Sequence, residues 1–322
     1  MNIIETKNLT KKFEKLTAVD NLNLQIKEGE IFGLLGPNGA GKTTTLLMLT
    51  TLKPPTSGTA TINGFDIVKQ PGKVRKSIGI VFQDPSSDEI LTGYENLKLH
   101  GWLYDMPDDL REERIKEVLE LVDLTDRKDD RMKKYSGGMR RRLELARGLM
   151  HHPKILFLDE PTLGLDPQSR DYIWKYIEKL AKEKNMTIIL TTHYMDEADK
   201  LCDRLAIIDH GKIVVLGSPK QLKKELGGDI IRLKANNLNL EMLKSLNYVK
   251  KVSACDGEVC LTVEDANRHI QEILNIIGKV DSVEIHSPTL DDVFLHYAGR
   301  NIRESSPEGG WAEKAMNARS KN

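Results

Sequence analysis

The sequence predicts an α/β fold with a largely parallel sheet over residues 1 to about 225, interrupted by a helical insertion at about 86–150 and followed by a small α+β domain at about 228–300. Three observations point there. The runs Ile31-Phe32-Gly33-Leu34-Leu35, Ile155-Leu156-Phe157-Leu158 and Thr187-Ile188-Ile189-Leu190 are short and apolar, and each stops where polar, chemically capable residues begin. Amphipathic helical stretches separate these strand-like runs. After Gly227-Gly228 a second strand-and-helix pattern starts, and 322 residues suit two domains of roughly 100–200 residues each.

Within the insertion the strand signal disappears, and Leu110 to Val122 carries apolar residues at helical spacing among charges. Beyond Gly228 the expected elements are a strand from Asp229 to Leu233, a helix from Leu238 to Leu246, and two strands around an Asp256-Gly257 turn. A helix near Ala266 to Ile277 and a strand near Ser282 to His286 complete the order β-α-β-β-α-β, that of a ferredoxin-like unit. Residues 301–322, rich in Ser, Gly, Asn and charge without periodicity, are expected to form a disordered tail. The chain has no internal repeats and no coiled-coil heptads.

Composition narrows the function classes. Lysine and arginine together number 48, as do aspartate and glutamate, and this balance argues against a dedicated nucleic-acid binder. The basic stretch Lys133, Lys134, Arg140, Arg141, Arg142 and Arg147 lacks interleaved aromatics and reads as a solvated helix face. No apolar run approaches the ~18 residues of a membrane span, and Met1 to Lys7 lack the basic start and apolar core of a signal peptide. The expected location is therefore cytoplasmic. Cys202, Cys255 and Cys260 are an odd, sparse set that suits a reducing compartment. Cys255 and Cys260 flank the expected Asp256-Gly257 turn, but no accompanying ligand cluster supports a metal role there.

Gly36-Pro37-Asn38-Gly39-Ala40-Gly41-Lys42-Thr43 matches G-x-x-x-x-G-K-[ST] between a predicted strand and a helical stretch from Thr44 to Leu49. In that context the glycines let main-chain N–H groups curl round phosphates at a helix N-terminus. Lys42 then reaches the β- and γ-phosphates of ATP, the Thr43 hydroxyl faces Mg²⁺, and Thr44 closes the set of nucleotide contacts. The run Lys154 to Leu158 delivers Asp159 and Glu160 at a strand end. Asp159 suits a metal-holding role, and Glu160 suits a general base that deprotonates the attacking water. His193 ends a third apolar run and projects toward the same sheet edge, where it suits a γ-phosphate contact.

Ser136-Gly137-Gly138 opens a further helix and makes a second exposed helix N-terminus able to take an anion. One chain with one phosphate loop hardly needs two such sites. The economical reading is that this one serves a nucleotide bound to another copy, two chains sandwiching two ATP molecules head to tail.

Phosphate loop, Gln83, Ser136-Gly137-Gly138, Asp159-Glu160, Gly164-Leu165-Asp166 and His193, in this order and spacing, resemble the motif set of ABC-family ATPase cassettes across residues 1 to about 225. The resemblance implies that Phe13 stacks on adenine and that Gln83 links Mg²⁺ and the attacking water to a membrane partner. It also implies that Asp166 communicates between paired cassettes and that Ser136 and Gly138 grip the γ-phosphate in trans. Two departures stand out, Phe13 where tyrosine is usual and Met139 where glutamine is common. A phenyl ring stacks equally well, and Met139 leaves the serine and main-chain donors in place.

The segment Ser287-Pro288-Thr289-Leu290-Asp291-Asp292-Val293-Phe294 resembles the C-terminal extension of drug-export ATPases of the daunorubicin-resistance type. The expected function is the ATP-hydrolysing subunit of an exporter, working on Mg-ATP as a pair of cassettes, with the homodimer the simpler pairing. It would lie on the cytoplasmic face of the membrane against a separate transmembrane permease. A soluble ABC-type ATPase acting on ribosomes or DNA is the alternative. The interval from Lys42 to Asp159 leaves no room for the long coiled coil of chromosome and repair types, and ribosome-type factors usually carry two cassettes. A small-molecule kinase would leave Ser136-Gly137-Gly138 and His193 unexplained.

Overall fold

A computed structural model describes residues 1–297 except 15, 235–239, 256–257 and 279. The expected tail at 301–322 and the expected Asp256-Gly257 turn lie outside the described residues. The chain divides into two compact units, the first Met1–Leu222 and the second beginning at Lys223.

The first unit opens with β1 (Asn2–Phe13), β2 (Leu16–Leu22) and β3 (Gln25–Lys27), then enters β4 (Ile31–Leu35), which leads through the glycine loop into α1 (Lys42–Leu49). After β5 (Ser57–Ile62), β6 (Phe65–Asp66) and α2 (Pro71–Ser77) comes β7 (Ile78–Val81). Three helices follow, α3 (Gly93–Leu103), α4 (Asp108–Leu121) and α5 (Gly137–Leu149), in the region where an insertion is expected. The chain then runs through β8 (Ile155–Asp159), α6 (Pro167–Lys184), β9 (Thr187–Thr192), α7 (Met195–Leu201), β10 (Arg204–Asp209), β11 (Lys212–Gly217) and α8 (Pro219–Glu225).

These strands form two sheets. The larger has the order β11-β10-β4-β9-β8-β7, parallel throughout except for the β10–β11 pair. Its central strands are buried on both faces, which is why they read as near-continuous apolar runs. The expected largely parallel sheet is present, and beside it β1, β2, β3, β5 and β6, which the sequence did not single out, pair antiparallel in a separate sheet. Phe32 and Leu34 of β4, Leu46 and Leu49 of α1, Ile4 and Ile62 of the antiparallel sheet, and Phe157 share one core. Helix α5 packs on β7, and α7 on β4 and β9. Arg114 of α4 donates to the carbonyls of Leu149 (2.7 Å) and Met150 (3.2 Å), satisfying the C-terminal end of α5.

The second unit contains β12 (Asp229–Lys234), α9 (Leu240–Lys244), β13 (Val249–Cys255), β14 (Glu258–Val263), α10 (Ala266–Ile277), β15 (Ser282–His286) and α11 (Leu290–Tyr297). Its sheet is antiparallel in the order β13-β14-β12-β15, and Leu243, Ala266 and Ile273 pack with Ile231, Leu233, Leu261 and Val263. Cys260 is buried and in register with Ser253, while Cys255 is in register with Glu258. Among the described residues no helix is long and apolar enough to cross a membrane.

Phe157 is fully buried in the shared core. Phe157→Ala is expected to destabilise the first unit by about 3–5 kcal/mol, read as an earlier urea-unfolding midpoint.

Candidate functional site

The site lies where β4, β9 and β8 end. β9 runs between the other two, with Leu34 and Asp159 both in register with Thr191, and Leu35 with Thr192. The loop after β4, the carboxylates at the end of β8 and His193 after β9 therefore emerge along one sheet edge, the ligand side of such sheets.

The glycines of the loop are required by close approach. A Cβ at Gly41, where φ is 107°, would stand 2.4 Å from the carbonyl oxygen of Ala18, and one at Gly36 would stand 2.2 Å from that of Ile208. Asn38 and Gly39 are exposed at the tip, Pro37 is half-buried, and Ala40 is buried with its N–H donated to the Pro37 carbonyl at 3.2 Å. Lys42 is buried, and its Nζ donates to the carbonyls of Gly36 (2.7 Å) and Pro37 (3.1 Å). Burial lowers the pKa of its ammonium, while the negative charges of Glu160 and Asp159 act in the opposite sense. Thr43 is exposed, and Thr44 half-buried, on the first turn of α1.

Asp159 is buried, and its Oδ1 accepts from the Thr191 hydroxyl at 2.5 Å and from the Thr43 hydroxyl at 3.4 Å. Glu160 has φ 48°, and its N–H donates to both the carbonyl and the hydroxyl of Thr191 at 3.1 Å. Its Oε2 lies 3.2 Å from Nδ1 of His193. Thr191 thus orients both acids. Sequence reasoning missed it, and the available signal was a pair of threonines closing an apolar strand.

The other expected site residues lie on other elements and take no part in that cluster's side-chain hydrogen bonds. Phe13 ends β1 and is 37% exposed, with the ammoniums of Lys11 and Lys53 at 5.3 and 5.1 Å from its ring centre. Gln83 follows β7 with its side chain exposed. Ser136 caps α5, its Oγ accepting from the Met139 N–H at 3.2 Å. Gly137 is exposed beside it, and Ser136 and Gly138 line a cleft of about 240 Å³ with Arg142, Gln168, Ser169 and Tyr172. Asp166 caps α6, and the hydroxyl and N–H of Ser169, at 2.6 and 2.9 Å, hold its carboxyl below the usual carboxylate range.

The basic stretch is not a solvated face. Lys133 and Lys134 are exposed, but Arg141 is buried, Arg142 donates to the carbonyls of Val122 and Asp123 at 3.0 Å, and Arg147 pairs with buried Glu144 at 3.0 Å. Guanidinium forks can satisfy carbonyls inside a helical layer, which a count of charges does not reveal.

Comparison with known proteins agrees with this geometry. Residues 19–163 match the family model described as ABC transporter, and 217–298 match that of the ATP-binding protein DrrA1-3-like, C-terminal domain. The chain is 39% identical to the daunorubicin/doxorubicin resistance ATP-binding protein DrrA of Streptomyces peucetius, covering 97% of each chain. It is 38% identical to the linearmycin resistance ATP-binding protein LnrL of Bacillus subtilis (strain 168), over 94% of this chain and 100% of that one. Among solved structures it resembles a dimeric ATP-binding cassette in a post-hydrolysis state bound to ADP and Pi, at 30% identity and TM-score 0.61, covering 67% of this chain and 98% of that one. Identity of this order along nearly the whole chain makes the protein a member of the ABC transporter family, an ATP-binding and ATP-hydrolysing chain with a DrrA-type C-terminal domain.

Proposed function

We propose that this ATPase drives a drug-type exporter, pairing as two cassettes on the cytoplasmic face of the membrane against a separate transmembrane permease. The observation that carries the reading is the convergence of Lys42, Thr43, Asp159, Glu160 and His193 on one sheet edge, in a chain whose relatives bear the names of drug-resistance proteins. For a transporter subunit, resistance to a toxic compound implies outward movement, and a 37%-identical relative is named a Nod factor export ATP-binding protein; both favour export over import. The names of the relatives do not favour the alternative, a soluble ATPase acting on ribosomes or DNA.

In this reading Gly36 to Thr44 wrap the phosphates of ATP, Lys42 swings from its loop carbonyls onto the β- and γ-phosphates, and Phe13 stacks on adenine. Thr43 Oγ1 and Asp159 Oδ1, 3.4 Å apart, are hard oxygen donors of the kind Mg²⁺ takes in ones and twos beside substrate phosphates, so the residues fit that ion, with Gln83 completing its protein contacts. Held there, Mg²⁺ would supply neutralisation of charge on the phosphate oxygens. Glu160 takes the proton of the attacking water, and His193, beside it, donates to the γ-phosphate and keeps that water aligned. Ser136, Gly137 and Gly138 meet the γ-phosphate held by the partner cassette, and Asp166 passes the state of one cassette to the other. The dimeric cassette among the structural relatives supports that pairing.

Glu160→Gln is expected to lower turnover by about 10²–10⁴, leave ATP binding intact and accumulate an ATP-bound dimer on size-exclusion chromatography. Hydrolysis at the wild-type rate would remove Glu160 from the role of base. Ser136→Arg is expected to abolish hydrolysis with monomer affinity for ATP unchanged, and equal loss of monomer binding would count against the sandwich. The exporter reading is tested by affinity capture from detergent-solubilised native membranes with mass spectrometry. A stoichiometric polytopic membrane protein is expected, whereas recovery of ribosomes or DNA alone would sink the transport assignment.

A further inference from the structure

Arg141 has no part in the scheme above, yet it is 7% exposed and touches two of its segments. Its guanidinium donates to the carbonyls of Phe82 (2.5 Å) and Gln83 (3.5 Å) beyond β7. It also donates to those of Asp159 (3.0 Å), Glu160 (3.1 Å) and Pro161 (2.6 Å) at the end of β8. All five acceptors are main-chain oxygens, so the fork reads the path of the backbone and not a side chain. Burial pushes the guanidinium pKa down to about 10, with Glu144, Glu197 and Asp159 opposing, and it stays charged at neutral pH. A buried cation of this kind is retained only where its donors are well used.

The path it reads is unusual at one residue. Glu160, at φ 48°, occupies the left-handed region, where a residue with a Cβ is disfavoured and persists only when its surroundings over-determine it. Two restraints do so. The Glu160 N–H is held by Thr191 of β9, and the carbonyls of Asp159, Glu160 and Pro161 are held by Arg141. The helix that carries Arg141 opens at Ser136, the residue assigned to the partner's nucleotide. Further along that helix, Glu144 accepts from the N–H groups of Ser86 (3.2 Å) and Ser87 (2.9 Å), so α5 grips the segment after Gln83 as well.

We propose that Arg141 is a positioning residue that holds Glu160 in its left-handed conformation and ties both Glu160 and Gln83 to helix α5, so that the carboxylate is aimed at the water only while that helix is seated. The proposal rests on the reading of Glu160 as the base. It gives the in-trans contact at Ser136 a material route to the hydrolytic centre, along one helix and through one side chain.

The test uses the full-length chain with Arg141→Ala and Arg141→Lys, the second keeping the charge and losing the planar fork. Steady-state hydrolysis, equilibrium binding of a fluorescent ATP analogue, and amide hydrogen exchange of the nucleotide-free protein are measured together. In Arg141→Ala, kcat is expected to fall by about 10²-fold while monomer affinity for the analogue holds, and added guanidinium at non-denaturing concentration should restore part of kcat. Arg141→Lys should lose most of the same activity. Exchange should rise over residues 82–88 and 159–163 in both variants. If Arg141→Ala gives no cooperative melt, Arg141→Lys decides the matter by the same measurements. Unchanged kcat, unchanged exchange in those segments, or loss of activity in step with nucleotide affinity would each overturn the proposal. Exchange does not depend on hydrolysis, so an inactive wild-type chain would sink the functional reading and leave the exchange result to judge the tether.

Discussion

Parallel pairing of β9 between β4 and β8 sets the spacing of everything chemical in the first unit. Neighbouring strands lie about 4.8 Å apart, so three strand ends in register bring their following residues within reach of one phosphate group. The register is carried by Thr191, opposite both Leu34 and Asp159. A slip of one residue would turn Thr191 to the other face of the sheet and take its hydroxyl from Asp159 and its bonds from the Glu160 N–H. Burial of β4, β8 and β9 on both faces makes such a slip costly, because every apolar side chain would have to find a new packing.

Around that edge the protein buries several charged groups and satisfies them with main-chain groups and neutral side-chain donors. Lys42 rests on loop carbonyls, Arg141 on five carbonyls, and Glu144 on two N–H groups and two hydroxyls from Ser86 and Ser87. Glu197 of α7 is fully buried, accepts from the Thr162 hydroxyl (2.8 Å) and the Trp174 indole (2.9 Å), and has its pKa raised by burial. Each of these groups would be expensive without its partners. These bonds anchor the segments after β7 and β8, which have few apolar side chains of their own.

In the second unit the segment that resembles the drug-export extension has a local physical explanation. The Asp292 N–H donates to the Thr289 hydroxyl at 3.2 Å, and the Asp292 carboxylate accepts from the Thr289 N–H at 2.9 Å, a reciprocal cap at the start of α11. His286 and Arg232 from the sheet lie 3.2 and 3.6 Å from the same carboxylate. Ser-Pro-Thr-Leu-Asp-Asp is thus a helix start pinned to β15 and β12, and Leu290 and Val293 are its buried residues.

The sequence by itself determined the features that depend on neighbours along the chain. The phosphate loop with its glycines, the apolar strands ending in Asp159-Glu160 and in His193, the serine cap at Ser136 and the helix Ala266–Ile277 are each a short-range pattern of period or turn chemistry. Tertiary structure alone decided which strands pair, and therefore that β1, β2, β3, β5 and β6 form a separate antiparallel sheet. It also decided that Thr191 stands between the two acids and that Arg141 is a buried fork where the charge pattern reads as a wet face. Strand partners and burial are set by contacts between residues far apart in the chain, here Arg141 with Phe82 and Pro161, and no local pattern encodes them.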